Sequence, residues 1–578
     1  MTFTQAIDRI GNWPAMVRYA LLTGLALAFF LPGIMTVPPM DRDEARFAQA
    51  SKQMVQTGDI IDIRVQDKPR HKKPAGIYWL QSMSVVIADA EDAIWAYRIP
   101  SLVGAVLSVL ITAWIGSYLF SPAAGVIAGV LLASSVLLGV EARLAKTDAM
   151  LLASILGAIA LMLRVGWRPE RAPPAPHVAY AFWAILAGGV LLKGPIIFLP
   201  VLGLLTALCL IRRDVRWLKE LQPLRGFGLF LLIALPWYAA IIIMTDGQFL
   251  ADSIGKDMIA KVKSGQESHG APFGFFTALM PVTFWPGSLL ILLSFPWIWW
   301  NRKRPEILML LGWFLVVWLV VELTPTKLFH YILPAYPALA LLAAAALTDT
   351  VRRDGGWWRY LSFTLWALVT TLLAILPLTL GLVPSVLGLL ADWGIATLKP
   401  EDIAILQATG GLDVGQAPAL VGLAVLVAGF LYIFGRDRSA RVFATLLVGA
   451  WAVSASIFGL TLPGLKTFWV SPAIADAIQP PPGCSRASVV TAGYSEPSLV
   501  FLTDRDILLS NGVGAAKHLA SMRKCGLAIV ESRFRNQFDQ TLAETGISAT
   551  AVGTPITGFN YAKGKTVKLQ MFVAAQDQ

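Results

Sequence analysis

Residues 95–119 read WAYRIPSLVGAVLSVLITAWIGSYL, with Arg98 as their single charged residue. A helix of that length crosses a hydrocarbon core of about 30 Å, because each residue adds about 1.5 Å along the helix axis. A segment that spans lipid must also satisfy its own backbone hydrogen bonds, which a helix does. The stretch therefore predicts a membrane-spanning helix.

Similar apolar runs recur along most of the chain. The 578 residues are 56% hydrophobic and 14% charged, with a mean hydropathy of +0.64, which excludes a water-soluble protein of this size. We predict an all-α polytopic membrane domain of about thirteen spanning helices. They lie near residues 17–36, 95–119, 123–140, 148–166, 178–192, 196–211, 226–244, 276–300, 306–321, 329–348, 361–383, 418–434 and 442–462. The first run is too long for a secretory signal, so we expect it to remain as an anchor.

The distribution of the net charge of +11 predicts how these helices are oriented. Arg and Lys residues concentrate in alternate loops, such as residues 212–225 and 302–304, and these loops are expected to face the cytoplasm. This pattern explains the basic excess without nucleic-acid binding, which we do not expect. The opposite loops, including the long loop 37–94, carry mixed charge and are predicted to be extracytoplasmic.

The composition of the chain becomes more polar after about residue 463. Residues 480–483 read PPPG and suit a rigid linker before a segment of ordinary polarity. We therefore divide the chain into a transmembrane domain, residues 1–462, and a small extracytoplasmic α/β domain, residues 463–578. Cys484 and Cys525 lie in this second domain and can form a disulfide if the domain is exported.

Two charged clusters in the loop 37–94 are candidates for chemistry: residues 41–46 read DRDEAR, and residues 68–73 read KPRHKK. The first also suits a helix N-terminus, and the second also suits binding to anionic lipid headgroups. A reaction that expels a phosphate would use both, because Lys and Arg neutralise the leaving group while a carboxylate acts as the base. Asp41 and Asp43 also fit the Asp-x-Asp pattern of nucleotide-sugar enzymes, but no Gly-rich phosphate loop supports a nucleotide donor.

Several motifs, in order along the chain, resemble those of the GT-C membrane glycosyltransferases, typified by the lipid A aminoarabinose transferases and the protein O-mannosyltransferases. They are Asp43-Glu44-Ala45-Arg46-Phe47, Lys73-Pro74 with Tyr78-Trp79, Ala142-Arg143 with Thr147-Asp148, Leu192-Lys193-Gly194-Pro195, and Lys327 with Tyr331 and Pro334. The resemblance covers residues 30–340 and extends more loosely to the number of helices and the polar C-terminal domain.

The resemblance implies a GT-C fold and a set of site residues. Asp43 would be the catalytic base that takes the proton from an acceptor hydroxyl, and Lys73 would hold the departing phosphate. The donor or substrate site would also include Arg46, Asp148, Lys193, Lys327 and Tyr331, and further cavity residues would be Asp41, Glu44, Tyr78, Arg143 and His269. Asp148 and Lys193 also suit helix capping or snorkelling, because both lie at predicted helix ends.

The resemblance also bears on metal binding. The segment His269-Gly270-Ala271-Pro272-Phe273 is similar to a family element whose histidine can bind a metal. Lys72 stands where that pattern has a glutamate before the motif lysine, so we assign no metal ligands. We expect that no cofactor is required, because the phosphate leaves on its carrier lipid, and we leave dependence on a divalent metal open.

We therefore predict an inverting glycosyltransferase that uses a polyprenyl-phosphate sugar at the periplasmic face of a bacterial inner membrane. The acceptor would be a hydroxyl of lipid A, of another glycolipid or glycan, or of a protein. A flippase or transporter of lipid-linked sugars is the alternative, but its charges should lie near the bilayer midplane on broken helices. A non-catalytic scaffold would have no reason to keep Asp43, Lys73, Asp148 and Lys193 together.

Overall fold

A computed structural model describes residues 9, 11–167, 175–253, 255, 270–349, 357–358, 361–362, 364–365, 368–369 and 439–575 of the chain. His269, the predicted helix 418–434 and most of the predicted helix 361–383 lie outside these residues. The other predicted spans coincide with helices. These are Ala15–Phe30, Ile94–Leu119, Pro122–Ser134, Val136–Glu141, Asp148–Gly166, Pro176–Lys193, Phe198–Arg212, Pro223–Met244, Phe275–Thr283, Gly287–Asn301, Pro305–Leu323, Tyr336–Thr348 and Ser439–Ser456.

Several of these helices are suited to lipid. Within the described residues, 7 segments are long and apolar enough to cross a membrane, or 8 if one bent pair of helices counts as a single span. The chain is therefore a multi-pass membrane protein with a helix-rich bundle. The total of thirteen spans stays a prediction.

Two breaks shape the bundle. The predicted span 276–300 forms the two helices Phe275–Thr283 and Gly287–Asn301, which are bent by 116° relative to one another. Pro286 lies at this break and lacks the N–H group that a continuous helix would use. The second break follows Lys193, where Gly194 adopts a φ of +74° that glycine tolerates best. This break leaves Lys193 at a helix end.

Small residues bring the helices close together around Pro122–Ser134. A Cβ atom added to Gly125 would lie 2.3 Å from the carbonyl oxygen of Ala113 in the neighbouring helix, so this approach requires glycine. The alanine-rich helix Tyr336–Thr348 packs against the same helix and is largely buried. Close contact through small residues is a usual way for helices to associate in lipid, where the hydrophobic drive is weak.

The first loop, residues 37–94, is folded. It contains the helices Asp43–Thr57 and Gly76–Ala88 and a short antiparallel pair of strands, β1 (Arg64–Val65) and β2 (Lys68–Pro69). Asp43 and Glu44 lie in the first turn of their helix, where the helix dipole favours negative charge. Phe47 stacks on Tyr78 with ring centroids 5.3 Å apart, which packs the two loop helices together.

The C-terminal region forms a five-stranded sheet, and the predicted small α/β domain is confirmed. Its strands are β3 (Ser488–Ala492), β4 (Leu508–Ser510), β5 (Gly526–Glu531), β6 (Ala549–Asn560) and β7 (Lys565–Ala574). The order is β4-β3-β5-β7-β6, with β3 parallel to both neighbours and β7 antiparallel to both of its own. The helices between these strands are Pro497–Leu502, Gly512–Met522 and Arg535–Thr545.

A disulfide joins Cys484 to Cys525, whose Cα atoms lie 5.7 Å apart. It connects the chain before β3 to the residue that precedes β5. Disulfides persist in oxidising compartments, which agrees with the extracytoplasmic location that the charge pattern predicts for this domain.

Candidate active site

Five ionisable side chains, from residues 141–148, 193 and 330, meet at the ends of helices. Glu141 ends Val136–Glu141, Asp148 begins Asp148–Gly166 and Lys193 ends Pro176–Lys193. The other two are Lys146, in the turn between the first two helices, and His330, in the 3-10 helix Phe329–Ala335 that precedes Tyr336–Thr348. We call these five residues the charged cluster.

Ion pairs connect the members of the charged cluster. Asp148 pairs with Lys193, and its second oxygen lies 3.8 Å from the Nζ atom of Lys146. Lys146 also donates to Glu141 at 3.2 Å. The Nε2 atom of His330 lies 3.7 Å from Asp148, and its Nδ1 atom lies 4.0 Å from Glu141. The five side chains are only 4–12% exposed. Ionisable groups at membrane depth are costly and are usually functional.

Two residues of the first loop, Asp43 and Lys73, border the charged cluster. Burial alone would lower the pKa of Lys146, but nearby carboxylates, including that of Asp43, raise it above its ordinary value. The charge of Lys73 lies close enough to act on His330 from the other side of the cluster. Asp43 is exposed and Lys73 is half-buried. The structure therefore brings an accessible carboxylate and an accessible lysine to the buried cluster.

Tyr331 lies beside the charged cluster, and Arg46 lies on the helix that carries Asp43. Arg46 is half-buried and stands three residues after Asp43, so the two side chains share one face of the helix. The Nζ atom of Lys193 lies 6.0 Å from the centre of the Tyr331 ring. That ring meets the ring of His330 edge-on at 5.0 Å. Tyr331 therefore forms part of the border of the charged cluster.

Lys327 belongs to a different polar group. Its Nζ atom donates to the carbonyl oxygens of Val321 and Glu322 at 2.9 and 2.5 Å and lies 3.7 Å from the Glu322 carboxylate. That carboxylate also accepts hydrogen bonds from the backbone N–H groups of Gly274 and Thr277. These contacts join the start of one helix to the end of another. These contacts hold Lys327 in place, and its role at the donor site stays a prediction.

Glu44 ties the first loop to the bundle. Its two carboxylate oxygens accept hydrogen bonds from Arg98 at 2.8 and 2.9 Å, and one of them also accepts the backbone N–H of Ala145 at 2.8 Å. Arg98 is fully buried and donates further to the carbonyl oxygens of Ile34 and Val37. This pair fixes the start of the helix that carries Asp43.

Arg143 and Tyr78 also hold their surroundings in place. Arg143 is buried and donates to the carbonyl oxygens of Pro32 and Gly139, which fixes the end of the first helix. Tyr78 is fully buried, and its hydroxyl accepts a hydrogen bond from Arg70 at 3.0 Å. None of these hydrogen bonds of Arg143 and Tyr78 involves a member of the charged cluster.

Asp41 faces the C-terminal domain. Its backbone N–H donates to the hydroxyl of Tyr561 at 2.7 Å, and its carboxylate accepts the backbone N–H of Ser498 at 3.1 Å. The next residue, Arg42, donates to the carbonyl oxygen of Ala562 at 2.6 Å. The first loop and the C-terminal domain therefore meet directly before Asp43.

The stability of this contact is expected to depend on pH. Burial raises the pKa of Asp41 from 3.8 to about 6, with Ser498 and Lys563 opposing the shift and Glu496 adding to it. The stability that Asp41 contributes is therefore fully present below pH 3.8 and is lost as the pH rises through 6. Between pH 5 and 7.5, we expect wild type to lose about 1 kcal/mol more of its unfolding free energy than Asp41→Asn. Equal pH dependence of the thermal unfolding midpoints of the two proteins would contradict this expectation.

The charged cluster suits an anion better than a metal ion. Glu141, Asp148 and His330 bring possible ligand atoms within 4.8 Å of one another, which is close enough to hold a metal. However, Lys146 and Lys193 already pair with both carboxylates and would repel a further cation. Lys73 adds a third positive charge nearby, and ammonium groups of this kind bind phosphate.

Glu141, Lys146 and His330 were not among the predicted site residues. Each lies inside or beside one of the motifs: Glu141 directly precedes Ala142, Lys146 directly precedes Thr147, and His330 directly precedes Tyr331. The sequence alone could have identified these three residues, because ionisable residues next to the ends of apolar helices are uncommon.

Comparison with known proteins supports the motif analysis. The family described as dolichyl-phosphate-mannose-protein mannosyltransferase matches residues 72–239. The undecaprenyl phosphate-alpha-4-amino-4-deoxy-L-arabinose arabinosyl transferase of Enterobacter sp. (strain 638) is 26% identical over 400 residues, which are 66% of each chain. The corresponding protein of Aeromonas salmonicida is 27% identical over 343 residues, 58% of this chain and 61% of that one. The chain thus matches just under two thirds of the length of these relatives.

The match to a solved structure extends further along the chain. ArnT from Cupriavidus metallidurans, in a crystal structure with bound undecaprenyl phosphate, superimposes with a TM-score of 0.71 at 19% identity, covering 96% of this chain and 98% of that one. This chain has the ArnT fold. The resemblance to the GT-C membrane glycosyltransferases is thus confirmed at the level of the fold, over 96% of this chain.

Proposed function

We propose that this protein is an inverting glycosyltransferase that moves a sugar from a polyprenyl-phosphate donor to an acceptor hydroxyl. The observation that carries the proposal is the buried, ion-paired charged cluster, with Asp43 and Lys73 close enough for their charges to act on it. A carboxylate beside lysines supplies what the reaction needs, a proton acceptor and a stabiliser of the departing phosphate. The arabinosyl transferase relatives and the undecaprenyl phosphate bound to ArnT support this class of donor.

In the proposed reaction, Asp43 accepts the proton of the acceptor hydroxyl. The hydroxyl oxygen forms a bond to the anomeric carbon of the sugar while the bond from that carbon to the phosphate oxygen breaks. The electron pair of the broken bond leaves with the phosphate, so polyprenyl phosphate is released. Lys73 and Lys193 stabilise its negative charge, and Asp148 keeps Lys193 in position. A single displacement inverts the anomeric carbon.

The same proposal covers the acceptor, the cofactors and the location of the site. Lipid A is the favoured acceptor because of the similarity to the aminoarabinose enzymes, with other glycans and protein hydroxyls as alternatives. No metal is required, since lysines neutralise the leaving group. The site and the C-terminal domain, residues 463–578, would face the periplasm across the inner membrane from the basic loops, and the disulfide supports this orientation.

A transfer assay with purified protein in lipid vesicles tests the proposal. Polyprenyl phosphates that carry aminoarabinose or different hexoses are each combined with lipid A, another glycolipid and a serine-containing peptide. We expect one donor to label one acceptor class, most strongly lipid A. If no acceptor is labelled while a donor crosses the bilayer, the protein is a flippase instead. The position of the charged cluster at helix ends disfavours that outcome.

Lys73→Met is expected to weaken donor binding. The substitution removes a charge-assisted contact to phosphate, which corresponds to a rise of about 10–100-fold in KM for the donor. Lys72→Met is the matched control, because Lys72 is the adjacent and more exposed lysine and lies outside the proposed contact. Steady-state kinetics at varied donor concentration measure both values. Equal effects of the two substitutions would contradict the assignment.

A further inference from the structure

The C-terminal domain contacts the two residues that precede Asp43. Tyr561 accepts a hydrogen bond from the backbone of Asp41, and Ala562 accepts one from the side chain of Arg42. Both partners lie directly after β6, which ends at Asn560. The domain thus holds the backbone immediately before the proposed catalytic carboxylate.

The backbone of Arg42 is strained. Its φ of 68° and ψ of −103° belong to a conformation that residues other than glycine rarely adopt. Such a conformation persists only where its surroundings impose it, and it is often found at functional sites. The contacts of Asp41 and Arg42 with the C-terminal domain are placed to impose it. The strain therefore indicates that the position of the next residue, Asp43, is important for function.

Other contacts fix the domain independently of Asp41 and Arg42. The side chain of Gln66 donates to the carbonyl oxygens of Arg505 and Ile507, each at 2.8 Å. Phe501 is fully buried, and its ring meets the ring of Tyr97 at 5.3 Å. The domain is thus also held by contacts that involve neither Asp41 nor Arg42, so it can serve as a fixed support for the residues before Asp43.

We propose that the C-terminal domain positions the carboxylate of Asp43, with Asp41, Arg42 and Tyr561 as positioning residues. The inference rests on the proposed function, in which Asp43 must reach the acceptor hydroxyl. Small displacements of a catalytic group lower the rate of the chemical step more than they affect binding of the substrate. Loss of these contacts should therefore lower kcat and leave KM for the donor unchanged.

Two substitutions test this role. Tyr561→Phe removes the hydroxyl that holds Asp41 and keeps the ring, so we expect kcat to fall about threefold to tenfold, the effect of one neutral hydrogen bond. Arg42→Gly removes the contact with Ala562 and also relieves the backbone strain. For this variant we expect a fall in kcat of about tenfold with a thermal unfolding midpoint that is unchanged or higher. Arg42→Lys keeps a donor and should retain most of the activity.

Gln66→Asn is the matched control. It shortens a side chain that docks the same domain elsewhere, and asparagine tolerates the positive φ of 55° at this position. We expect kcat within about twofold of wild type, since a docking contact away from Asp43 is lost. An unchanged kcat in both Tyr561→Phe and Arg42→Gly would overturn the proposal. An equal loss in Gln66→Asn would also overturn it, because docking of the domain alone would then account for the effect.

Hydrogen exchange separates this inference from the proposed function. If the wild type transfers no sugar, the function proposal fails, but amide exchange in residues 40–47 still measures how firmly this segment is held. The inference predicts faster exchange there in Tyr561→Phe and Arg42→Gly than in Gln66→Asn. Equal exchange in all three variants and wild type would overturn it.

Discussion

Replacing Asp43 by asparagine is expected to lower kcat for sugar transfer by about 10²–10⁴-fold, the usual contribution of a general base. Asparagine has nearly the same shape as aspartate but cannot accept the proton of the acceptor hydroxyl. Donor binding should be retained, since Lys73 and Lys193 remain. Transfer rates measured at saturating donor, together with a separate measurement of donor affinity, distinguish loss of chemistry from loss of binding.

Asp67→Asn provides the control for this substitution. Asp67 is an exposed carboxylate of the same loop, in the turn between β1 and β2, and we expect its replacement to change kcat by less than about twofold. If Asp43→Asn keeps more than a tenth of the wild-type rate, Asp43 is not the catalytic base. An equal loss in both variants would indicate a general effect of charge in the loop.

Arg98→Met is expected to have the largest effect on stability. Arg98 is fully buried and binds both oxygens of Glu44, so its removal leaves a buried carboxylate without its cation. Loss of one partner from a buried ion pair costs about 3–5 kcal/mol. The thermal unfolding midpoint in detergent should fall accordingly. Adding Glu44→Gln to Arg98→Met should recover part of the loss, because the uncompensated charge disappears.

An exposed ion pair supplies the comparison. Arg535 and Asp539 lie one helical turn apart, and each side chain is 47% exposed. Arg535→Met should cost about 1 kcal/mol or less, since water solvates both charges. If Arg98→Met shifts the unfolding midpoint no more than Arg535→Met does, the pair between Arg98 and Glu44 does not anchor the first loop.

Much of the membrane fold could be predicted because lipid imposes simple rules. The helices 148–166 and 329–348 follow directly from the length of their apolar runs. The residues Lys193-Gly194-Pro195 predict the helix break at that point. The 116° bend near Pro286 could not be predicted, because a proline permits a bend whereas its angle depends on the packing of neighbouring helices. Strand β6 could not be predicted from its own residues, because Gly553 and Pro555 are unfavourable in strands. Both lie at the register shift between Val552 and Ile556, and the residues on either side pair with β7.

The candidate site was predictable in part. The motifs identified Asp43, Lys73, Asp148 and Lys193, which the structure brings to one place. They could not show that Lys327 contacts the carbonyl oxygens of Val321 and Glu322, because the direction of a long side chain depends on its tertiary partners. Motif order was therefore informative about which segments meet, and less informative about which side chains point into the site.

The products that the purified protein forms test the proposed transfer reaction. With donor labelled in both the sugar and the lipid phosphate, we expect one polyprenyl phosphate to be released for each sugar attached to the acceptor. We also expect an inverted anomeric configuration in the product, with both products lost in Asp43→Asn. Sugar attached with retained configuration, or release of polyprenyl phosphate without attachment of sugar, would show that the protein is not an inverting glycosyltransferase.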